Sequence, residues 1–312
     1  MVQVRHIAPV LGQMEALEVV DEFILFCKAQ GLGEDSRKSH RYALQQFFGL
    51  YNGALSDTKG IQKALTRMLQ DKQDAYYNKQ LNAIRKFFDY CVGEGLMKSN
   101  PAIGFKYRRP TVQIVEHSED SVKALLKVID KETFAGLRDY AFAVLILDTG
   151  IRPNEALQLQ ISDIDFEGKQ VRVRREYSKT RKERYLPVSG QVLQVLRKVI
   201  TVRPDVWKEA VPVLCTFDGH RMPARGMQDR FRNYSRMIKA NITPYHLRHI
   251  FGLWFVRNGG DAFVLQRIMG HTKMDMTRVY VNLADNDIKE CHEKASPFAN
   301  LLAGKRVRNI HN

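Results

Sequence analysis

Residues 243–260 read TPYHLRHIFGLWFVRNGG, and this stretch decides how the second half of the chain folds. Thr243 is a good helix N-cap, Pro244 suits a first turn where its missing N–H has no partner to lose, and Gly259-Gly260 suits the end. The spacing predicts a helix over 244–258. Leu247, Ile250, Phe251, Trp254 and Phe255 form its apolar side, whereas Tyr245, Arg248, His249 and Gly252 fall at i, i+3, i+4 and i+7 on a second face. That face is polar and near a helix N-terminus, which favours an anion. Two other readings of the histidines compete with it: His246 and His249 as a metal pair, without further ligands at a telling spacing, or both as core histidines satisfied by hydrogen bonds. The arginine between them tips the balance to the anion.

Upstream, Tyr140, Val144 and Leu147 share one face of a helix that runs to the Asp148-Thr149-Gly150 break. Gly150-Ile151-Arg152-Pro153-Asn154-Glu155 opens another helix, with Arg152 at its entrance and Glu155 one turn later. An Arg and a Glu so close are commonly a surface ion pair worth little. A short sheet follows: residues 162–166 are extended, Glu167-Gly168 turns, Val171 and Val173 alternate with Arg172 and Arg174, and 184–188 supplies a third strand. Alternation places those arginines on one surface. Residues 169–184 hold eight basic side chains against Glu176 and Glu183, with Lys179 at the hairpin tip. A solvated face is the ordinary reading of such a run; a flexible ammonium reaching a phosphate or a leaving oxygen is the alternative. Helices return near 190–200, 224–239 and 261–269. Downstream, His271 in Met269-Gly270-His271 lies nine residues before Tyr280, in Thr277-Arg278-Val279-Tyr280. A tyrosine there is most often half-buried packing.

Residues 14–100 read as a helical block, because Leu81, Ile84, Phe88 and Cys91, and likewise Val19, Phe23 and Phe26, recur at helical spacing. Asn100-Pro101 stops it, and Gly104, Lys106, Arg108, Arg109 and Pro110 follow as a basic linker, either a solvated connection or a strap along a phosphate backbone. The whole chain has 312 residues, 44% hydrophobic and 27% charged, enough for a sizeable core and about two domains. Forty-nine Lys and Arg against 34 Asp and Glu leave a net charge of +15, more than solubility needs, so a polyanionic partner is expected. Nucleic acid is favoured over membrane, since no run of about 18 apolar residues appears and MVQVRHIAPVLGQ lacks a signal-peptide core. Cys27, Cys91, Cys215 and Cys291 show no metal-ligand spacing and are expected to be reduced thiols in a cytoplasmic protein.

The order of these elements, TGIRPNEAL, a hairpin lysine, PYHLRH, MGH and TRVY, resembles the tyrosine recombinases, the phage integrase family of site-specific DNA recombinases. The resemblance covers about residues 117–290; residues 14–103 resemble that family's core-binding domain in general character only. It implies a mainly α fold with a small antiparallel β-sheet in the catalytic domain. The implied plan is a helical core-binding, DNA-clamping domain over 1–103, a basic linker over 104–116, an α+β catalytic domain over 117–295 and a C-terminal tail over 296–312. No separate arm-binding domain is expected before residue 14.

The family's first arginine and acidic companion fall on Arg152 and Glu155, its hairpin lysine on Lys179, its second arginine on Arg248, the following histidine on His249, its His-or-Trp position on His271 and its nucleophile on Tyr280. One position departs: the family's histidine three before Arg248 is Tyr245 here, and His246 is out of register by about 100° on the helix. The resemblance implies that Arg152 and Arg248 hold the scissile phosphate while Tyr280 attacks it to give a 3′-phosphotyrosyl bond. His249 would take the phenol proton and Lys179 would protonate the leaving 5′ oxygen. His271 and Tyr245 would hydrogen-bond the phosphate, and Glu155 would orient its surroundings. No metal, ATP or other cofactor is expected. Lys106, Arg108, Arg109, Arg172, Arg174 and Arg181 are expected on the DNA backbone. The partners implied are double-stranded DNA, a homo-oligomer that is a tetramer on DNA, and an accessory protein where directionality needs one. The tail would dock on a neighbour or on its own domain. A nucleoid-associated, cytoplasmic protein that integrates or excises a mobile element, or resolves DNA molecules, is the main reading. Two rivals stand beside it: a type IB topoisomerase that relaxes DNA, and a non-catalytic DNA-binding regulator, which Tyr245 favours.

Overall fold

Apolar residues at helical spacing build the first part of the chain as four helices, α1 (Gln13–Ala29), α2 (Glu34–Phe48), α3 (Thr58–Leu69) and α4 (Asp74–Gly93). The structure is a computed structural model that describes residues 13–109, 115–207, 210–272, 274–284 and 292. It divides into two units, Met1–Val112 and Gln113–Asn312. In the first, Leu81, Ile84, Phe87, Phe88 and Cys91 of α4 are fully buried. Phe47, Phe48, Phe87 and Phe88 meet mainly edge to face, with centroids between 5.0 and 5.7 Å apart. Of the stripe predicted on α1, Val19 and Phe23 turn inward together with Val20, Ile24 and Cys27, while Phe26 is 44% exposed and lies against Tyr90.

The expected linker also starts later than predicted. After α4 the chain folds back along that helix, where Arg85 donates to the carbonyl oxygens of Ala102 (3.1 Å), Ile103 (2.9 Å) and Phe105. Asn78 and the Arg108 backbone bond in both directions, and the Arg108 guanidinium lies 3.9 Å over the Tyr77 ring while donating to the Lys72 carbonyl. Backbone groups beyond a stopped helix need partners, and α4 supplies them, so 104–108 belongs with the first unit. Residues 110–114, and the tail over 296–312 with Cys291, lie outside the described residues.

The second unit runs α5 (Glu119–Val128), α6 (Phe134–Thr149), α7 (Pro153–Ala156), a 3-10 turn (Ile161–Asp163), β1 (Ile164–Asp165), β2 (Gln170–Val173), β3 (Arg184–Pro187), α8 (Gly190–Thr201), α9 (Ala224–Met237), α10 (Pro244–Arg257), α11 (Ala262–Met269) and α12 (Asp275–Ala284). The sheet is antiparallel in the order β1-β2-β3, with Val171 opposite both Ile164 and Leu186. Val171, Val173 and Leu186 point into the core. The α6 helix is its centre. Tyr140, Val144 and Leu147, which share one face, are its less buried side, whereas Ala141, Phe142, Ala143, Leu145 and Ile146 are fully buried. A helix with partners on several sides, here α8 and α10, must be apolar nearly all round, and one periodic stripe then misleads. Among the described residues no helix is long and apolar enough to cross a membrane.

Candidate active site

The predicted cap geometry sets the register of α10. Thr243 accepts the His246 backbone N–H at 3.2 Å, Pro244 occupies the first turn, and Arg248, His249 and Gly252 are thereby aimed at the ends of α6 and α11 and at α12. Arg248 is 2% exposed. Its guanidinium donates to the carbonyl of Gly150, which ends α6, and to that of Met269, at 2.7 Å, which ends α11, and it lies 3.3 Å from His271 Nε2. Burial and the neighbouring charge of Arg152 lower its pKa to about 10, so it stays a cation at neutral pH.

Arg152 arrives from the α6–α7 turn. Its Nη1 donates to Glu155 Oε1 (3.1 Å), its Nη2 to the Gly270 carbonyl (2.9 Å), and its backbone N–H to Glu155 Oε2 (3.2 Å). The common fate of such a pair, a surface ion pair, does not apply here: Glu155 is 2% exposed and structural to the site. Burial works to raise the Glu155 pKa, but the hydrogen bond and charge of Arg184 and the charge of Arg152 outweigh it and hold the carboxyl below its ordinary value. Gly270 ends α11 with φ +62°, a left-handed turn that glycine adopts without strain, and so delivers His271 beside Arg248. His271 Nδ1 is fixed at 2.9 Å from Thr277 Oγ1, a fully buried hydroxyl.

Tyr280 of α12 is 2% exposed, not half-buried. Its hydroxyl lies 2.8 Å from His249 Nδ1, and its ring is parallel to the His271 ring with centroids 6.3 Å apart. Burial pushes the phenol up to about 12, with the Arg248 charge pulling the other way. Burial, then the charges of His246 and Arg248, lowers His249 to about 4; burial, then Arg248 and Arg152, does the same to His271. At neutral pH the phenol therefore keeps its proton and faces a neutral imidazole, which accepts from it in the tautomer that carries its proton on Nε2. A hydroxyl with a proton acceptor, beside two guanidinium groups, is an arrangement suited to attack on an anionic ester.

The back of the Tyr280 ring rests on Gly252. A Cβ there would stand 2.8 Å from Tyr280 Cε1 and 2.9 Å from Cζ. Gly252→Ala should displace the phenol and lower Tyr280 reactivity by roughly tenfold or more, while helical circular dichroism stays as in the wild type. An unchanged reactivity in the variant would contradict the packing argument.

Some predicted residues stand apart from this cluster. Lys179 is exposed on the connection between β2 and β3 and makes no hydrogen bond or ion pair among the described residues. Tyr245 is 52% exposed, sets its ring edge against His249 with centroids 5.2 Å apart, and has no hydroxyl partner among the described residues. His246 bonds the Asn241 carbonyl at 2.9 Å and lies 3.2 Å from His117, so the two histidines read as a metal pair take different partners. Arg172 and Arg174, expected on DNA, pair with the fully buried carboxylate of Asp163, at 3.1 and 2.6 Å, because that charge has to be compensated. Arg108 is held within the first unit as described, and Lys106, Arg109 and Arg181 are exposed. The sequence reading missed Arg184 as a site residue: it donates to both Glu155 oxygens, at 2.5 and 3.2 Å, and to the Ile268 carbonyl at 3.2 Å. It missed Thr277 as the partner of His271, although Thr277 stands in the quoted Thr277-Arg278-Val279-Tyr280 and Arg184 opens the third strand.

Residues 117–287 match the phage integrase family. A tyrosine recombinase XerC of Thermodesulfovibrio yellowstonii is 24% identical over 298 residues, covering 90% of this chain and 96% of the relative. A tyrosine recombinase XerC of Alcanivorax borkumensis is 29% identical over 250 residues, covering 78% and 80%. A solved structure of a lambda integrase fragment dimer bound to a COC′ core site superposes with a TM-score of 0.70 at 16% identity, covering 86% of this chain and 97% of that one, a likeness of fold.

Proposed function

The chain belongs to the phage integrase family and is a tyrosine-type recombinase, and on that premise we propose that it cuts and rejoins DNA strands through a 3′-phosphotyrosyl bond on Tyr280. The observation that carries the proposal is the Tyr280 hydroxyl, 2.8 Å from His249 Nδ1, inside a buried cluster that also holds Arg152 and Arg248. In the forward step the phenol oxygen bonds to phosphorus, its proton passes to His249, and the 5′ oxygen departs with a proton from Lys179. The β2–β3 connection has to bring that ammonium to the leaving oxygen on the DNA. The reverse step, with a 5′ hydroxyl from a partner strand, restores the phosphodiester without outside energy. Arg152 and Arg248 keep N–H groups beyond those bonded to Glu155, His271 and backbone carbonyls, and these are aimed at the added negative charge of the transition state.

The partner is double-stranded DNA, with the +15 charge supplying salt-dependent attraction. Exchange between two duplexes calls for a symmetric tetramer on the DNA. The setting is integration or excision of a mobile element, or resolution of joined DNA molecules. Both units contact the duplex, and Lys106, Arg109 and Arg181 are among the candidate backbone contacts.

Tyr245 replaces an imidazole with a neutral donor. Its exposed hydroxyl is without a partner among the described residues, so Tyr245→Phe should leave folding and DNA affinity unchanged. It should slow cleavage by about one to two decades, the roughly 1.5 to 3 kcal/mol of a hydrogen bond to a charged group. Tyr245→His should keep much of the activity. Equal rates for Tyr245→Phe and wild type would reduce the residue to a packing partner of His249. The function itself is tested on a duplex selected by the protein from a random library and nicked just beyond the cleavage point, so that the cut fragment diffuses away. A detergent-resistant protein–DNA adduct is expected without any divalent metal; relaxation of supercoiled DNA with no exchange between partners would favour a topoisomerase.

A further inference from the structure

Arg184 occupies the first position of β3, five residues beyond Lys179, and its three side-chain nitrogens all bond to protein. Nη1 and Nη2 grip the two Glu155 oxygens at 3.2 and 2.5 Å, and Nε donates to the Ile268 carbonyl in the last turn of α11 at 3.2 Å. Glu155 in turn receives Arg152 through both its backbone N–H and its Nη1. One buried carboxylate therefore joins two guanidinium groups and, through them, β3, α7 and α11. Both cations close over the backbone of Gly270, where a Cβ would stand 3.4 Å from Arg184 Nε and 3.5 Å from Arg152 Nη1.

The consequence for charge is direct. A lone Glu155 would neutralise Arg152 and be free to rotate its oxygens toward it, whereas the forked grip of Arg184 fixes the carboxylate plane and leaves the trio with a net positive charge. Because Arg184 also starts β3, it anchors one foot of the connection that carries Lys179. We propose that Arg184 is a positioning residue for strand cleavage, acting through Glu155 to hold Arg152 in its phosphate-binding orientation; this rests on the reading of Arg152 and Tyr280 given above.

The test is a double-mutant cycle in single-turnover adduct formation at saturating protein, run with DNA affinity and thermal unfolding on the same samples. Arg184→Met keeps the apolar stem and removes the fork. It should slow adduct formation by about 30- to 100-fold with affinity within about threefold, the scale of a misplaced catalytic group. In a Glu155→Gln background the same change should cost no more than about threefold, because the carboxylate it orients is already gone. Arg184→Lys should recover a measurable part of the rate. If Arg184→Met fails to unfold cooperatively, Arg184→Lys carries the cycle, with the same loss of effect expected beside Glu155→Gln. A wild-type rate for Arg184→Met, or an equal loss in both backgrounds, would overturn the proposal, since Arg184 would then be idle or act without Glu155. Absence of an adduct from the wild type itself removes the recombinase reading and this proposal with it, which sets that failure apart from the others.

Discussion

Tyr280→Phe should bind its DNA within a few fold of wild type and form no covalent adduct. The hydroxyl has one hydrogen-bond partner among the described residues, His249 Nδ1 at 2.8 Å, and the ring keeps its place between His271 and Gly252 when only that oxygen is removed. The folding cost is the loss of one buried donor to the imidazole, about 1 to 3 kcal/mol, and the thermal transition should fall by a few degrees. The chemical cost is complete, since the other phenol beside His249, Tyr245, makes no hydrogen bond to it among the described residues. Gel retardation and detergent-resistant adduct assays on one preparation measure both quantities. An adduct from the Phe variant would remove Tyr280 from the reaction.

Arg248→Ala should lose rate and stability together. The guanidinium is buried and satisfies the carbonyl groups that close α6 and α11, so its removal leaves two buried acceptors without that donor and opens a cavity beside α10. It also removes a cation from the transition state, an effect on the order of 10²- to 10³-fold in rate. Arg248→Lys separates the two: it retains a positive charge but cannot span both carbonyls, so it should fold better than the Ala variant and still cleave far more slowly than wild type. Full activity in Arg248→Lys would show that only charge is needed at this position. Thermal unfolding and single-turnover cleavage decide between these results.

Much of the site was legible where local geometry fixes it. The Thr243 cap, Pro244 and the glycine end placed Arg248 and His249 on one helix face, and that face does meet Tyr280. The small antiparallel sheet and its alternation were legible for the same reason, since strand periodicity is local. What escaped were pairings between distant segments. Arg184 reaches Glu155 across 29 residues, so nothing near either one announces the other. Arg172 and Arg174 look like a cationic surface because alternation reveals a shared face and not the buried Asp163 beneath it. The Arg152–Glu155 pair was visible, but not its burial, which depends on α11 folding over it and converts a weak surface interaction into a fixed one.

In the proposed reaction Tyr280 becomes joined to a 3′ phosphate, and the most direct measurement is the chemistry of the linkage. Wild-type protein would be trapped on the nicked duplex and digested with protease, and the DNA-bound peptide identified by mass spectrometry. The expected peptide contains Tyr280 esterified to a 3′-terminal phosphate, with a free 5′ hydroxyl on the released strand. A linkage at another residue, a 5′-phosphate ester, or cleavage that leaves no protein on the DNA would contradict it.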